Sequence, residues 1–326
     1  MARHPLFGNP DVYEVRVPVT TMWADPGAPR DVDAPATRDD PDVAEWARAM
    51  DTQTIDTQAR KALHGRCLTQ LLLGEAVHVV EERDDWVRVV ALVQPSSQHE
   101  HGYPGWVPRA HLGTPVLRDG GPSAFVVTPS AVCTLEDGTS TRLSFGTAVR
   151  VDSVAENTIV VALPGDRRGE LTLTDLRLSR KGQQPTYTPA EILASARQFL
   201  GVRYLWGGTS AWGLDCSGLV HLVYRAHGRL VPRDAFDQVE QVTPVPLDEV
   251  QPGDLYFFAR PGERIYHVGF ATAPTAPDGT RKMLHAPESG ELIEEAPLAP
   301  DRVETLVGAG RVRAGRVRAG RGVGER

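Results

Sequence analysis

Apolar and polar positions change their period along this chain, and each change marks an element. Near the N-terminus, residues 12 to 19 alternate Val with Glu and Arg and predict a strand. Ala24 to Asp42, rich in Pro, Asp and Gly, predicts a loop. Helical signal starts at Asp40, where Pro41 suits a first helical position and Val43, Ala44, Trp46 and Ala47 make an apolar face. From Cys67 to Leu92 the period is two. Gly74-Glu75-Ala76-Val77-His78-Val79 and Asp85-Trp86-Val87-Arg88-Val89 predict strands, and Gly102-Tyr103-Pro104-Gly105-Trp106-Val107-Pro108 predicts a turn into a further one. The same pattern then returns. Phe145-Gly146-Thr147-Ala148-Val149-Arg150-Val151 repeats Leu73-Gly74-Glu75-Ala76-Val77-His78-Val79, and Ile159 to Ala162 corresponds to Val87 to Ala91. Two copies of one short-strand unit imply two small β-barrels. After a polar linker, Lys181 to Pro185, the run Thr188-Pro189-Ala190-Glu191 is a capping box that predicts a helix to about Leu200, ended by Gly201.

The stretch from 204 to 224, YLWGGTSAWGLDCSGLVHLVY, sets a cysteine where a turn gives way to an apolar helix. Leu219, Val220, Val223 and Ala226 recur at helical spacing until Gly228 stops them, so Cys216 falls on the first turn with Asp215 as N-cap. Unpaired backbone N–H groups and the positive end of the helix dipole favour a thiolate there, so an exposed Cys216 with a pKa under the usual value of about 8.5 is expected. A thiol nucleophile needs a base, distant in sequence and near in space. His221 and His227 lie on the same helix and point away from Cys216. His267 opens the strand-like run His267 to Ala271, and His285 sits on the apolar run Met283 to Ala286. Two strands each presenting one histidine to a helix presenting a cysteine make the arrangement of a thiol hydrolase. A buried structural cysteine is the plainer reading, and the Asp-Cys-Ser-Gly context weighs against it.

Composition narrows the choice. At 326 residues with 41% hydrophobic content, the chain has room for two or three soluble domains, and a formal charge of −7 argues against nucleic acid as a partner. Cys67, Cys133 and Cys216 are odd in number and widely spaced, which suits a reducing compartment with Cys67 and Cys133 as small strand hydrophobes. No stretch has signal-peptide or membrane-span character, so a cytoplasmic protein without a membrane partner is expected. His99, Glu100 and His101 form a polar loop and no metal site.

The motifs Asp215-Cys216-Ser217-Gly218, Gly253-Asp254-Leu255 with Phe257-Phe258, and His267-Val268-Gly269 occur in one order, and over about residues 188 to 312 they resemble the NlpC-type cysteine peptidases of bacterial cell-wall metabolism. The resemblance implies an α+β chain whose papain-like domain uses Cys216 as nucleophile, His267 as general base and His285 as the polar third residue, although a Pro-rich segment, Ala273 to Asp278, separates the two histidines. The two barrels resemble bacterial SH3-like domains, at about 10–113, enlarged by a helical insert around Val43 to Leu63, and 114–180. An Arg/Gly tail at 313–326 is expected to be disordered and solvated.

Two barrels before such a domain, with Tyr103 in a Tyr-Pro-Gly-Trp turn and Trp206 ten residues before the cysteine, resemble one branch, the γ-D-glutamyl-L-diamino acid endopeptidases. That branch cleaves murein stem peptides with a free N-terminal L-alanine and needs no cofactor. The resemblance implies that Asp215, Ser217, Tyr204 and Trp206 surround a murein peptide, with Asp215 near its free amine and Tyr103 and Glu75 reaching that amine from the first barrel. Each has a plainer reading: barrel packing for Tyr103, core for Trp206, a solvated strand-end charge for Glu75. A thiol amidase or acyltransferase acting on another amide or ester, and a non-catalytic cell-wall binding protein, are the alternatives.

Overall fold

Pro18 divides the first predicted strand in two: a residue without an N–H ends β1 (Val12–Val15), and the chain resumes as β2 (Val19–Trp23). The computed structural model describes residues 9–50, 57–116, 122–179 and 186–313. Between β2 and the next strand lies the insert, with α1 (Val43–Ala49) and α2 (Thr57–Lys61). Asp42, not Pro41, starts α1, because its carboxylate accepts the Glu45 N–H at 2.7 Å. Then come β3 (Cys67–Leu72), β4 (Ala76–Arg83), β5 (Trp86–Ala91), β6 (Tyr103–Pro108) and β7 (Leu112–Gly113). Tyr103 to Pro108 is thus itself a strand, paired along β5 from Ala91 to Trp86. Its two prolines are accommodated although it neighbours β2 through the Trp23–Trp106 pair.

The second copy comprises β8 (Ser123–Val126), β9 (Ser130–Leu135), β10 (Ser140–Ser144), β11 (Ala148–Val154), β12 (Thr158–Leu163), β13 (Arg167–Thr172) and β14 (Leu176–Ser179). The sheet orders are β3-β2-β6-β5-β4-β1-β7 and β10-β9-β13-β12-β11-β8-β14, which is one order written twice. The repeated glycines make the same turn, Gly74 at φ 78° before β4 and Gly146 at φ 81° before β11.

The third unit opens with α3 (Pro189–Arg197), whose capping box is made by Thr188 and Glu191. After the small hairpin β15 (Thr209–Ser210) and β16 (Gly213–Leu214) come α4 (Cys216–Ala226) and the one-turn α5 (Ala235–Gln238). The remaining strands are β17 (Thr243–Val245), β18 (Leu255–Phe258), β19 (His267–Ala271), β20 (Lys282–His285), β21 (Glu294–Pro297) and β22 (Leu306–Arg311), with α6 (Pro300–Thr305) before the last. They form a sheet in the order β17-β22-β18-β19-β20-β21, and α4 packs on β19. The tail from 314 onward and the linker at 180–185 lie outside the described residues.

α4 is buried along its whole length, which an amphipathic helix on a sheet is not. Its outer face is covered by the barrels. Gly146 of the second lies so close that a Cβ there would stand 2.5 Å from Leu222 Cδ1, and the Gly146 carbonyl accepts from Arg225 Nε at 3.0 Å. One apolar cluster therefore runs from Trp23 and Trp46 of the first barrel and its insert through Phe145 of the second to Leu219, Val223 and Phe270. Among the described residues no helix is long and apolar enough to cross a membrane.

Gly146→Ala combines a left-handed backbone with a blocked approach to the helix, whereas at Gly138, with φ 82°, an added Cβ would meet no neighbour. Gly138→Ala should cost about 1 kcal/mol and Gly146→Ala about 2 kcal/mol or more in chemical denaturation. Equal costs would show that the second barrel does not press on α4.

Candidate active site

Asp215 caps α4 by accepting the Gly218 N–H on Oδ1 at 2.7 Å, which puts Cys216 at the first helical position. Gly218 is required there for a second reason: a Cβ would meet the Gly208 carbonyl at 2.1 Å. Cys216 is 8% exposed, so the expected open thiol is in fact buried. Burial, followed by the Asp215 carboxylate, pushes it up to about 12, against the N–H groups of Val268 and Ser217 and the charge of Arg233. The helix N-terminus is outweighed, and burial favours the thiol over the thiolate.

β19 and β20 set His267 and His285 side by side. His267 Nε2 lies 2.8 Å from His285 Nδ1, with the rings edge to face. The Glu294 carboxylate, paired across β20 and β21, lies 3.5 Å from His285 Nε2 and favours a proton on that nitrogen. His285 then accepts on Nδ1 and His267 donates from Nε2, leaving His267 Nδ1 as the free lone pair. Burial and then Arg302 push His285 down to about 3, and burial, Arg302 and His285 hold His267 well below the usual imidazole range. Both rings rest neutral. His221 and His227 point elsewhere, His221 to the Val231 carbonyl at 2.8 Å and His227 to Arg177 and Ser195.

The remaining expected site residues divide. Asp215 already has partners on both carboxylate oxygens. Arg233, 1% exposed, grips it through NH1 to Oδ1 at 3.0 Å and NH2 to Oδ2 at 2.6 Å, and Gly207 N–H takes Oδ2 at 2.9 Å. Ser217 is held in the same knot, accepting from Arg233 and donating to Asp215. Glu75 is not a solvated strand end. It is buried, and Arg225, the Leu72 N–H and Gln94 occupy its oxygens at 2.8, 2.9 and 3.2 Å. Trp206 docks on the first barrel, with its indole N–H on the Cys67 carbonyl at 3.0 Å and its ring on His64. Tyr204 is buried beside Cys216 and Asp215, and both push its phenol further up from its ordinary range after burial.

Tyr103 reaches Asp234 of the third unit with its hydroxyl, which also meets Gln98 of its own barrel. Asp234 was not anticipated from sequence. It stands at the N-cap of α5 without capping it, accepts from Gln98 Nε2 at 3.2 Å, and is raised from its ordinary range by burial. Arg233 was missed too. Its only signal in sequence is a charged pair, Arg233-Asp234, inside the otherwise apolar run Leu230 to Phe236. Among the described residues no cluster of His, Cys, Asp and Glu suits a metal ion.

A first-turn cysteine against two hydrogen-bonded histidines on a packed sheet defines a papain-like thiol hydrolase. The NlpC/P60 family profile matches residues 201–308, and that of the bacterial dipeptidyl-peptidase SH3 domain matches residues 59–112. A γ-D-glutamyl-L-lysine dipeptidyl-peptidase of Bacillus cereus is 31% identical, over 91% of this chain and 90% of its own. One of the same name from Bacillus subtilis is 32% identical, over 85% and 90%. The crystal structure of an NlpC/P60 family protein from Bacillus cereus superposes with a TM-score of 0.85 over 92% of this chain and 99% of that one, at 29% identity. The chain belongs to the NlpC/P60 family of cysteine peptidases.

Arg233→Met leaves Asp215 buried and unpaired and should destabilise the protein by about 3–5 kcal/mol, while Thr69→Val, which removes the acceptor of Arg233 Nε, should cost about 1–2 kcal/mol. Denaturant titration measures both, and a cost under about 1 kcal/mol for Arg233→Met would mean that the pair is not structural. Nitrogen-15 spectra of the histidines at pH 5 should find His285 neutral with its proton on Nε2, since its pKa of about 3 lies below that pH. A doubly protonated ring at pH 5 would contradict the arrangement.

Proposed function

We propose that the protein is an endopeptidase that cleaves the bond between γ-D-glutamate and a diamino acid in murein stem peptides whose N-terminal L-alanine is free. The observation that carries the reading is the wall between the first barrel and the catalytic unit. There Tyr103 and Asp234 bring a phenol and a partly desolvated carboxylate together. Arg233, the neighbouring cation, is committed to Asp215, its nearest approach to Asp234 being 3.9 Å. A carboxylate raised by burial and short of a full counter-ion is a receptor for an ammonium. In this reading Asp234 takes the role that the resemblance suggests for Asp215, and Asp215 instead holds the cap of the nucleophile's helix.

The chemistry follows from the proton positions. Cys216 attacks the γ-carbonyl as its proton passes to His267 Nδ1, so charge separation begins only when substrate is present. His285 keeps the His267 ring oriented. Tyr204, whose phenol keeps its proton, donates to the developing oxyanion with the N–H groups at the helix start. His267 then protonates the departing amine, and water hydrolyses the thioester. Trp206 and Ser217, both of the third unit, wall the cleft. The names of the two Bacillus relatives support the bond chosen. A free alanine amine occurs on released fragments and not on intact wall, where that nitrogen is amide-bonded to muramic acid. Peptide recycling in the cytoplasm is accordingly the setting we propose.

L-Ala-γ-D-Glu-diaminopimelate should yield L-Ala-D-Glu by mass spectrometry, and Cys216→Ala should yield none. The N-acetylated tripeptide leaves Asp234 facing a neutral amide, so its kcat/KM should fall at least about a hundredfold. Tyr103→Phe should narrow that gap by slowing the free tripeptide. Comparable kcat/KM for the two peptides would refute amine recognition and favour a hydrolase of intact wall.

A further inference from the structure

Close to His267 lies a cation to which the reaction proposed above gives no role. Arg302, in α6, is partly exposed, and its guanidinium donates to Tyr266 Oη at 3.1 Å and to the Pro287 carbonyl at 3.3 Å. It lies 5.6 Å from the Tyr266 ring and 5.9 Å from the Phe258 ring, and each of these rings neighbours His267. Tyr266 Oη is itself held by Thr305 Oγ1 at 2.9 Å. The head group is therefore fixed from two sides, one aromatic ring away from the catalytic histidine.

Both fixed partners are neutral oxygens, and among the described residues no carboxylate pairs with Arg302. Other arginines of the same unit do have carboxylates, Arg197 with Glu295, Arg260 with Glu263 and Arg311 with Asp254. A half-desolvated guanidinium without a counter-ion is costly, and a planar fork held in place is suited to a carboxylate. Its field also works against the reaction. Arg302 depresses both His267 and His285, although His267 must take up the thiol proton. An anion bound at Arg302 relieves the cation and restores the proton affinity of the base at the moment it is needed.

The side of the site decides which anion. Tyr103 and Asp234 are linked to Cys216 through Arg233 and Asp215, whereas Arg302 is linked to it through the rings beside His267, whose strand neighbour Val268 offers its N–H to the thiol. Since His267 must reach the departing nitrogen, whatever lies beside His267 runs alongside the residue that leaves. We infer that Arg302 is a specificity-determining residue that binds a carboxylate of the released diamino acid. This rests on the substrate reading given above. The α-carboxylate beside the scissile nitrogen and the distal carboxylate of diaminopimelate share this chemistry.

The test uses L-Ala-γ-D-Glu joined to L-lysine, to L-lysine amide, to meso-diaminopimelate and to its α-carboxamide. If the α-carboxylate is the partner, the lysine acid should exceed the lysine amide in kcat/KM by at least about thirtyfold. If the distal carboxylate is the partner, the two lysine peptides should be alike, and both diaminopimelate peptides should exceed them by a similar factor. In either case Arg302→Gln should reduce the ratio to under about threefold, and Arg302→Lys should keep part of it. Equal rates on all four peptides, or an Arg302→Gln variant that slows all four in proportion, would overturn the inference in favour of a purely structural arginine. No turnover of any of them by the unmodified protein would overturn the substrate reading itself, and this inference with it.

Discussion

The grip of Arg233 on Asp215 is the constraint on which the site depends. A guanidinium out of water must place all five of its N–H groups, and a carboxylate out of water must fill its lone pairs. Asp215 does so with Arg233 and the N–H groups of Gly207 and Gly218, which ties the loop before α4 to the helix start in one geometry. Arg233 also donates from Nε to Thr69 Oγ1, at 2.8 Å, and Thr69 belongs to the first barrel. Thr69 passes its own proton to Gln94 Oε1, Gln94 donates to Glu75, and Glu75 pairs with Arg225 at the far end of α4. The chain of bonds leaves the helix at its cap, crosses the barrel and returns at the last turn. The barrel thus supplies a hydrogen-bond acceptor to Arg233 and a counter-ion to Arg225, and so supports both ends of the helix that carries Cys216.

The same burial that makes this network strict also decides the resting charge of the site. Cys216 and the two histidines are each driven toward their neutral forms. A helix N-terminus contributes a fraction of a charge, and losing water around a thiolate costs more than that fraction returns. Reactivity is therefore not stored in the free enzyme as a standing thiolate. It arises when substrate brings its own charges, the ammonium at Asp234 and the carboxylate at Arg302 in the readings argued above.

Much of this was legible in the chain. Alternation and the repeated Leu/Phe-Gly turn indicate the strands of both barrels, and helical spacing with an acidic cap locates Cys216. What escaped was pairing across long separations. Asp215 and Glu75 look in sequence like carboxylates available to a ligand; their partners lie 18 and 150 residues away and are ordinary arginines until the fold brings them close. The burial of Cys216 escaped for a related reason: a first-turn residue is exposed on a lone helix, and only the docking of two barrels removes that exposure. Asp234 sits where a capping residue is expected and its side chain turns to Tyr103 instead, a choice set by the barrel and invisible to local pattern.

The two barrels share one strand order and have divided the catalytic helix between them. The second holds its back, through Gly146 against Leu222 and Arg225 and through Arg177 on His227. The first holds its front, through Thr69 on Arg233, Gln70 on Thr209 and Ser210, and the Cys67 carbonyl on Trp206. Only the first carries an insert between its second and third strands, and that insert supplies Arg60, which donates to the Tyr204 carbonyl at 2.6 Å. The equivalent positions have diverged accordingly. Glu75 after Gly74 is an ion-pair partner, whereas Thr147 after Gly146 is a small buried side chain that lets the backbone reach the helix. One fold used twice thus supports the helix in two ways: the second barrel by the close approach of Gly146 and by arginine bonds at the last turn, the first by polar bonds to the residues around Cys216 and an ion pair to Arg225.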